Sequence, residues 1–128
     1  MCCNDTIIIA LGSNCDAENN IESGKEYMRE QFGDIRFSSS LHTPAIGIST
    51  GEFVNCLAIV RQRSTPDDII RILKGIEQKC GDSRELRQKG IIMLDADLLL
   101  CDGKRFHEAD WSRQYIADLM RELGVNVK

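Results

Sequence analysis

The segment that most constrains the fold is Thr6–Leu11, with the sequence TIIIAL. Its β-branched and apolar residues are consecutive rather than alternating, which is typical of a strand buried on both faces of a sheet. Such a strand needs a partner along each edge and a cover over each face. The chain has 128 residues, the length of one domain. We therefore expect residues 1–128 to form a single domain around this central strand.

Two helices are indicated by apolar spacing and by capping residues. Asn20–Phe32 carries apolar side chains on one helical stripe, and Gly33 is the expected C-cap. A second helix is expected to begin after Thr65, because threonine caps well and Pro66 suits the first helical position. Gly81 is expected to end it.

The remaining segments complete a recognisable order of elements. We predict strands at Ile35–Leu41, Phe53–Arg61 and Ile91–Cys101, loops at His42–Gly51 and Asp82–Gly90 (the second one mobile), and a last helix that begins at Asp110. The order β-α-β-β-α-β plus a helix predicts an α+β fold, a ferredoxin-like sandwich with an antiparallel sheet and an extra C-terminal helix. Two helices cover one face, so the other face must be covered by another element or carry a site.

The charge balance excludes one large class of partners. Sixteen Lys and Arg residues stand against 20 Asp and Glu, a net charge of −4. Non-specific nucleic-acid binding depends on many contacts from cations to phosphates, so we do not expect it here. No apolar run approaches the ~20 residues of a membrane span, and the N-terminus lacks the pattern of a signal peptide. We expect a cytoplasmic protein; the sequence predicts no oligomeric state.

Six cysteines are compatible with a disulfide framework, but nothing else in the sequence is typical of secretion. No C-x-x-C pair occurs, which argues against a structural zinc site. Several cysteines lie within apolar patterns, and we expect those to be small buried hydrophobic residues.

Two acidic residues on one predicted strand are the strongest chemical signal. Asp95 and Asp97 are two positions apart, so they share a face with their Cα atoms ~6.6 Å apart. Two carboxylates at that distance repel by roughly 3 kcal/mol at an effective dielectric constant near 20. Divalent cations relieve this repulsion, and hard carboxylate oxygens suit Mg²⁺, which also binds phosphate. The alternative is a pair of solvated aspartates on an open sheet face, because D-x-D is a short pattern.

The segment before this strand is basic. Arg84, Arg87 and Lys89 beside paired carboxylates are suited to metal-dependent polyphosphate chemistry, in which cations hold the phosphate oxygens. An ordinary solvated loop has the same composition. His42 and His107 lie in irregular segments and carry no assignment by themselves.

The chain resembles the 6-hydroxymethyl-7,8-dihydropterin pyrophosphokinase family of the folate pathway. The resemblance depends on the order and spacing of short motifs, none of which is decisive alone. These motifs are Ile9–Asn14, Ser38–Ser40 followed by Thr43, Pro44 and Gly47, then Phe53-Val54-Asn55, Ile76-Glu77 followed by Gly81, Asp95-Ala96-Asp97, and His107 with Arg113. They run along almost the whole chain, and the fold expected above is the fold of that family.

The resemblance implies transfer of pyrophosphate from ATP to the hydroxymethyl group of the reduced pterin. It implies that Asp95 and Asp97 hold two Mg²⁺ ions and that Arg84 reaches the phosphates as a catalytic residue. The residues it implies for ATP binding are Glu77, Arg84, Leu98, His107 and Arg113. The residues it implies for pterin binding are Thr43, Pro44, Ile46, Phe53, Asn55 and Tyr115.

The sequence also departs from the family's pattern at cationic positions. Where the family reads R-W-G-P-R-x-L-D-x-D, Lys89 replaces the tryptophan and Ile92 replaces the second arginine; Asp82 replaces a further arginine after the second helix. Loss of such cations predicts a reduced rate unless Lys89 or Arg87 substitutes for them. Two alternatives therefore stay open, a non-catalytic nucleotide- or pterin-binding descendant and a ferredoxin-like interaction module.

Overall fold

The computed structural model describes residues 5–44 and 52–125. The strands are β1 (Thr6–Ser13), β2 (Ile35–Phe37), β3 (Leu41–Pro44), β4 (Glu52–Arg61), β5 (Asp95–Cys101) and β6 (Lys104–Arg105). The helices are α1 (Ala17–Gln31), α2 (Pro66–Lys79), α3 (Arg84–Gln88), a 3₁₀ helix (Glu108–Ser112) and α4 (Gln114–Glu122). Within these ranges, every helix is too short or too polar to cross a lipid bilayer.

The sheet has the strand order β2-β4-β1-β5-β6, with β3 also paired to β4, and every pairing is antiparallel. The prediction that Thr6–Leu11 is a central strand is confirmed, because β1 pairs with β4 on one edge and with β5 on the other. The four strands β2, β4, β1 and β5, with their intervening helices α1 and α2, have the order of a ferredoxin-like sandwich. The predicted fold class is confirmed.

Both faces of the sheet are covered. Ile7, Ile9 and Leu11 of β1 belong to the hydrophobic core beneath α1 and α2. On the opposite face, Ile8 packs in a second core with Leu119 and other residues of α4. Because side chains alternate along a strand, the consecutive apolar residues of β1 feed both cores. The C-terminal helix is therefore the second cover that the sequence requires.

Several boundaries differ from those predicted. The predicted strand Ile35–Leu41 is interrupted, because the hydroxyl oxygen of Ser38 accepts the Leu57 N–H at 2.8 Å. The pairing then resumes one residue out of register as β3, which includes the first three residues of the loop predicted at His42–Gly51. The rest of that loop lies outside the described residues.

The predicted loop Asp82–Gly90 contains the short helix α3, capped by Ser83, whose hydroxyl accepts the Leu86 N–H at 3.1 Å. Five residues are too few to show a helical period in the sequence. The strand predicted from Ile91 begins only at Asp95. The segment before it bonds instead to Asn14, whose carboxamide oxygen accepts the Ile92 N–H at 2.7 Å.

The helix predicted from Asp110 is divided into the 3₁₀ helix and α4 by the extended backbone of Arg113. The cap of α2 is as predicted, with the Thr65 hydroxyl accepting the Asp68 N–H at 3.2 Å. Gly33 does not have the left-handed conformation of a C-cap glycine, since α1 ends at the extended residue Phe32. Among the described cysteines, Cys56, Cys80 and Cys101 are buried and free, as expected, and Cys15 is half-buried and free.

Candidate active site

Asp95 and Asp97 lie at the N-terminal end of β5. They are on the same sheet face that α4 covers at the other end of the strand. Asp95 is opposite Gly12 and Asp97 is opposite Ala10 of β1. One carboxylate oxygen of Asp95 and one of Asp97 lie within 4.8 Å of each other. The prediction that the two aspartates share a face is confirmed, and both side chains are half-buried rather than splayed into solvent.

Glu77 brings a third carboxylate to this pair from the opposite side of the sheet. β6 pairs only with Leu100 and Cys101, so the first residues of β5 form an open edge. Helix α2 packs along that edge, and the Ala96 N–H donates to Glu77 Oε2 at 2.8 Å. One carboxylate oxygen from each of Glu77, Asp95 and Asp97 lies within 4.8 Å of the others.

Burial and the neighbouring carboxylates raise the pKa values of Asp97 and Glu77. Burial, followed by repulsion from Asp95 and then from Glu77, raises the pKa of Asp97 to about 8. Burial also raises the pKa of Glu77, partly offset by its hydrogen bond from Ala96. Without a bound metal ion, the cluster therefore retains a proton near neutral pH.

Arg87 is the cation that the structure places on this cluster. Its Nη2 lies 3.2 Å from Asp95 Oδ1 and 3.6 Å from Glu77 Oε2, and its Nε donates to Asp82 Oδ1. Nη2 also lies 3.2 Å from the carbonyl oxygen of Leu94. Burial alone would lower the pKa of Arg87, but Asp82, Asp95 and Glu77 raise it above its usual value, so the guanidinium stays charged.

A large cavity of about 730 Å³ opens at the exposed edge of β5, between α2 and α3. It is lined by the acidic cluster, by the cations Lys74, Arg84 and Arg87, and by Leu98, Phe106 and His107. Its volume lies in the range of sites that hold small molecules and nucleotides. Of the residues predicted for ATP binding, it brings together Glu77, Arg84, Leu98 and His107.

Of the two arginines predicted for ATP binding, the large cavity includes Arg84 but not Arg113. Arg84 is an exposed residue on the cavity wall and forms no ion pair with any described residue, whereas Arg87 contacts three carboxylates. Arg113 lines a second, smaller cavity and pairs with Asp110 at 3.3 Å. The nucleotide roles predicted for both arginines stay predictions.

The second cavity, of about 190 Å³, lies on the α4 face of the sheet. Its lining includes Thr43, Pro44, Phe53, Asn55 and Tyr115, the residues predicted for pterin binding, together with Asp95 and Asp97. Ile46, the remaining predicted residue, lies outside the described residues. The two aspartates are therefore shared by both cavities.

Small residues on β1 create the second cavity. Gly12 lies between Asn55 of β4 and Asp95 of β5 in one cross-strand row. A Cβ atom at Gly12 would lie 3.0 Å from Asn55 Oδ1, which is closer than an ordinary van der Waals contact. Asn55 is itself only 8% exposed, and its Nδ2 donates to Thr43 Oγ1 at 2.6 Å. Glycine at this position therefore keeps space above the sheet for a ligand.

Sequence reasoning assigned no role to several residues that the structure places at the site. Ser13 and Asn14 hold the segment before β5. The Asn14 carboxamide donates to the carbonyl oxygen of Gly90 at 2.8 Å. The Ser13 hydroxyl donates to the carbonyl oxygen of Ile92 at 3.2 Å. Asp110 forms a second group with Asp97 and His107, with ligand atoms within 4.8 Å. Motif position was the only available signal for Ser13 and Asn14.

Comparison with known proteins identifies a family for this chain. A sequence model of the 7,8-dihydro-6-hydroxymethylpterin-pyrophosphokinase family matches residues 8–124, nearly the whole chain. No sequence among the curated proteins matches significantly. The chain is similar to the solution structure of the C-terminal domain of the MgtC protein from Mycobacterium tuberculosis, with 12% identity, coverage of 73% of this chain and 85% of that one, and a TM-score of 0.41. That similarity is too weak to support an argument.

Proposed function

The chain belongs to the 7,8-dihydro-6-hydroxymethylpterin-pyrophosphokinase family, and from this premise we propose that it transfers a pyrophosphoryl group from ATP to the hydroxymethyl group of the reduced pterin. The hydroxymethyl oxygen forms a bond to the β-phosphorus, the bond from that phosphorus to the oxygen shared with the α-phosphate breaks, and AMP leaves. The hydroxyl proton is released to water, so the products are the pterin diphosphate, AMP and a proton. The observation that supports this proposal is that Asp95 and Asp97 line two adjoining cavities.

The larger cavity is proposed as the nucleotide site. Leu98 and Phe106 offer apolar surface, and Lys74, Arg84 and Arg87 offer positive charge to a phosphate chain. Phosphoryl transfer depends mainly on positioning and on neutralising the charge of the phosphates. Such a wall is suited to a nucleotide, because the apolar part can contact the base and the cations can contact the phosphates.

The acidic cluster fits the magnesium that this chemistry uses. In octahedral coordination at 2.0 to 2.1 Å, neighbouring ligand oxygens lie about 2.9 Å apart, so the oxygens of Glu77, Asp95 and Asp97, which lie within 4.8 Å of one another, would move closer together to share one ion. All the ligand atoms of the cluster are oxygens, which a hard divalent cation prefers. Binding of such a cation would displace the proton that the cluster otherwise retains. Bound there, magnesium supplies positive charge to the phosphate oxygens. The family resemblance implies two ions held by Asp95 and Asp97. In the structure, Asp110 is a further carboxylate close to Asp97.

The smaller cavity is proposed as the pterin site. Phe53 and Tyr115 offer ring faces to a flat heterocycle, and burial raises the pKa of Tyr115, which keeps its hydroxyl protonated. The Asn55 amide group is committed to Thr43 through Nδ2, which leaves Oδ1 to accept a hydrogen bond from a ring N–H or amino group. The hydroxymethyl group of a pterin bound here would point towards the shared aspartates.

Arg87 is proposed as the cation that compensates for Asp82 and Ile92 at the family's arginine positions. Ile92 is only 9% exposed, so that position supplies an apolar anchor rather than a phosphate contact. Arg87 is already at the acidic cluster, at the wall of the larger cavity. The buried isoleucine and the acidic Asp82 also favour the second candidate, a descendant that binds nucleotide and pterin without turnover.

The deciding experiment is a coupled assay of AMP release with Mg²⁺, ATP and the hydroxymethyl dihydropterin. We expect turnover in the unmodified chain and a loss of at least about 100-fold in Asp97→Asn, since charge stabilisation of this kind contributes that much. Glu30→Gln removes an exposed carboxylate remote from both cavities and is the matched control. Nucleotide binding without AMP release would select the non-catalytic descendant, and absence of Mg²⁺-dependent binding of an ATP analogue would contradict both.

A further inference from the structure

A third cavity, of about 360 Å³, lies on the α4 face at the opposite end of the sheet from the aspartates. Thr6 of β1 lines it, whereas Gly12 of the same strand lines the smaller of the two cavities described above. Six residues of strand separate the two positions by about 20 Å. The third cavity therefore shares no residue with the proposed active site.

Three arginines from three different strands line this cavity: Arg36 of β2, Arg61 of β4 and Arg105 of β6. Each lies on its own part of the sheet, and β2 and β6 are at opposite ends of the strand order. The Cα atoms of Arg36 and Arg105 are thus about four strand spacings apart, roughly 19 Å, with Arg61 between them. Their side chains converge on one cavity from different sides.

None of the three guanidinium groups forms an ion pair with a carboxylate in the described ranges, although acidic residues outnumber basic ones in the whole chain. Glu122, beside the cavity at the end of α4, is committed elsewhere: its carboxylate accepts from the Ser39 N–H and hydroxyl, each at 2.6 Å. Asp34 and Asp102 flank the lining strands and form no ion pair with the three arginines. Among residues 5–44 and 52–125, no carboxylate therefore compensates the positive charge of the cavity.

Two of the arginines are held in place by contacts that leave donors free. Arg36 donates one N–H to the Leu123 carbonyl oxygen at 3.2 Å, and Arg105 stacks on Trp111 with 4.2 Å between its Cζ and the ring centroid. A guanidinium group has five N–H donors, so most remain available. Fixed cations of this kind lose little side-chain entropy on binding an anion.

The floor of the cavity is apolar, formed by Ile59, Leu100 and Leu123. We infer that the cavity binds a small molecule carrying several phosphate groups, with the three arginines pairing with its oxygens. Guanidinium groups match phosphate in a bidentate geometry, and a concave site of this volume is the size of a small-ligand pocket. Several linked phosphates contact arginines on separate strands better than a single anion does.

The test is calorimetric titration with inorganic triphosphate in metal-free buffer, so that the acidic cluster of the active site repels the probe. Arg61→Gln is the variant of choice, because Arg36 and Arg105 also make structural contacts. We expect one binding site, affinity that falls as salt is added, and a loss of about tenfold in Arg61→Gln. Arg63→Gln, an equal change of charge two residues further on and outside the cavity, is the matched control, with an expected loss below twofold.

A second arm titrates ATP in the same metal-free buffer. Tighter binding of ATP than of triphosphate, again weakened by Arg61→Gln, assigns the apolar floor to a nucleoside; equal affinities assign the site to the phosphate chain alone. Equal losses in Arg61→Gln and Arg63→Gln, or absence of binding, would overturn the inference. Preferential binding of a hexaglutamate peptide would overturn it too, in favour of an acidic protein segment. AMP release does not enter these readouts, so they are independent of the proposed function.

Discussion

Arg87 Nη2 lies 3.2 Å from Asp95 Oδ1, so the structure places an internal cation on a carboxylate that the family resemblance assigns to magnesium. The same guanidinium group binds Asp82 and approaches Glu77. A metal ion at this cluster and Arg87 are therefore competitors for the same oxygens, unless Arg87 moves to the phosphates that accompany the metal. This relationship makes the affinity for metal alone depend on Arg87.

Arg87→Gln is expected to bind Mg²⁺ alone about tenfold more tightly than the unmodified chain, because removal of a nearby positive charge strengthens the attraction of the carboxylates for the ion. Calorimetric titration with MgCl₂ in the absence of nucleotide measures this. Arg84→Gln is the control, since Arg84 contacts no described carboxylate. An equal or weaker affinity in Arg87→Gln would show that Arg87 organises the site for metal rather than competing for it.

The same pair of variants separates the two arginines in catalysis. We expect Arg87→Gln to lower kcat at saturating Mg²⁺ and ATP by about 100-fold, the effect typical of losing one donor to transition-state charge, and Arg84→Gln to lower it by much less. The coupled AMP-release assay measures both. A larger loss in Arg84→Gln would restore the role that the sequence predicts for Arg84 and remove the one proposed for Arg87.

The pH dependence of stability provides a test that needs no substrate. The pKa of Asp97 is about 8 in the folded chain, above its ordinary value of 3.8, so the folded state holds a proton that the unfolded state has lost. This contribution to stability is present below about pH 4 and is lost as the pH rises to about 8. Asp97→Asn, which cannot ionise, is expected to raise the free energy of unfolding at pH 8 by about 2 to 4 kcal/mol and to leave it nearly unchanged at pH 4.

Urea denaturation at both pH values, in metal-free buffer, measures that difference, with Glu30→Gln as the control for loss of a surface carboxylate. Saturating Mg²⁺ should reverse the order at pH 8, because a ligand that binds only the folded state stabilises it. Parallel pH profiles for Asp97→Asn and the unmodified chain would show that Asp97 ionises normally in the folded state.

The sequence predicts the fold well because its strongest signals are about burial. The consecutive apolar residues of β1 require two covers, and the spacing of Asp95 and Asp97 requires a shared face; the structure confirms both. Boundaries were less predictable where a side chain replaces a backbone partner. Ser38 interrupts a strand and Asn14 delays the start of β5, and neither effect appears in an apolar pattern.

The site was predictable as a set of residues but not as a set of contacts. The resemblance names Arg84, which is three residues from Arg87 and of the same charge. Only the short helix α3, with its Ser83 cap, decides which of the two faces the acidic cluster. Likewise, nothing in the sequence brings Arg36, Arg61 and Arg105 together, because they lie on three strands whose order depends on long-range pairing.

Gly12→Ala tests the proposed pterin cavity. The added methyl group would lie 3.0 Å from Asn55 Oδ1 and displace that side chain, which is buried and bonded to Thr43. We expect the KM for the pterin to rise about tenfold, because the displaced Asn55 loses its hydrogen bond to the pterin. The affinity for the ATP analogue should not change. Gly33→Ala, where a Cβ meets nothing within 4 Å, is the matched control. A change in nucleotide affinity instead would place the pterin elsewhere.

Asn14→Ala tests how the acidic strand is positioned. The Asn14 carboxamide bonds to the Ile92 N–H at 2.7 Å and to the Gly90 carbonyl oxygen at 2.8 Å, which fixes the segment that leads from α3 into Asp95. Its loss leaves two backbone groups without these partners and is expected to lower the free energy of unfolding by about 1 to 3 kcal/mol. Because the freed segment carries Asp95, Mg²⁺ affinity should fall as well, while Asn19→Ala, an exposed asparagine on α1, should change neither. Reduced stability with unchanged Mg²⁺ affinity would show that Asn14 supports the fold and that β5 positions Asp95 without it.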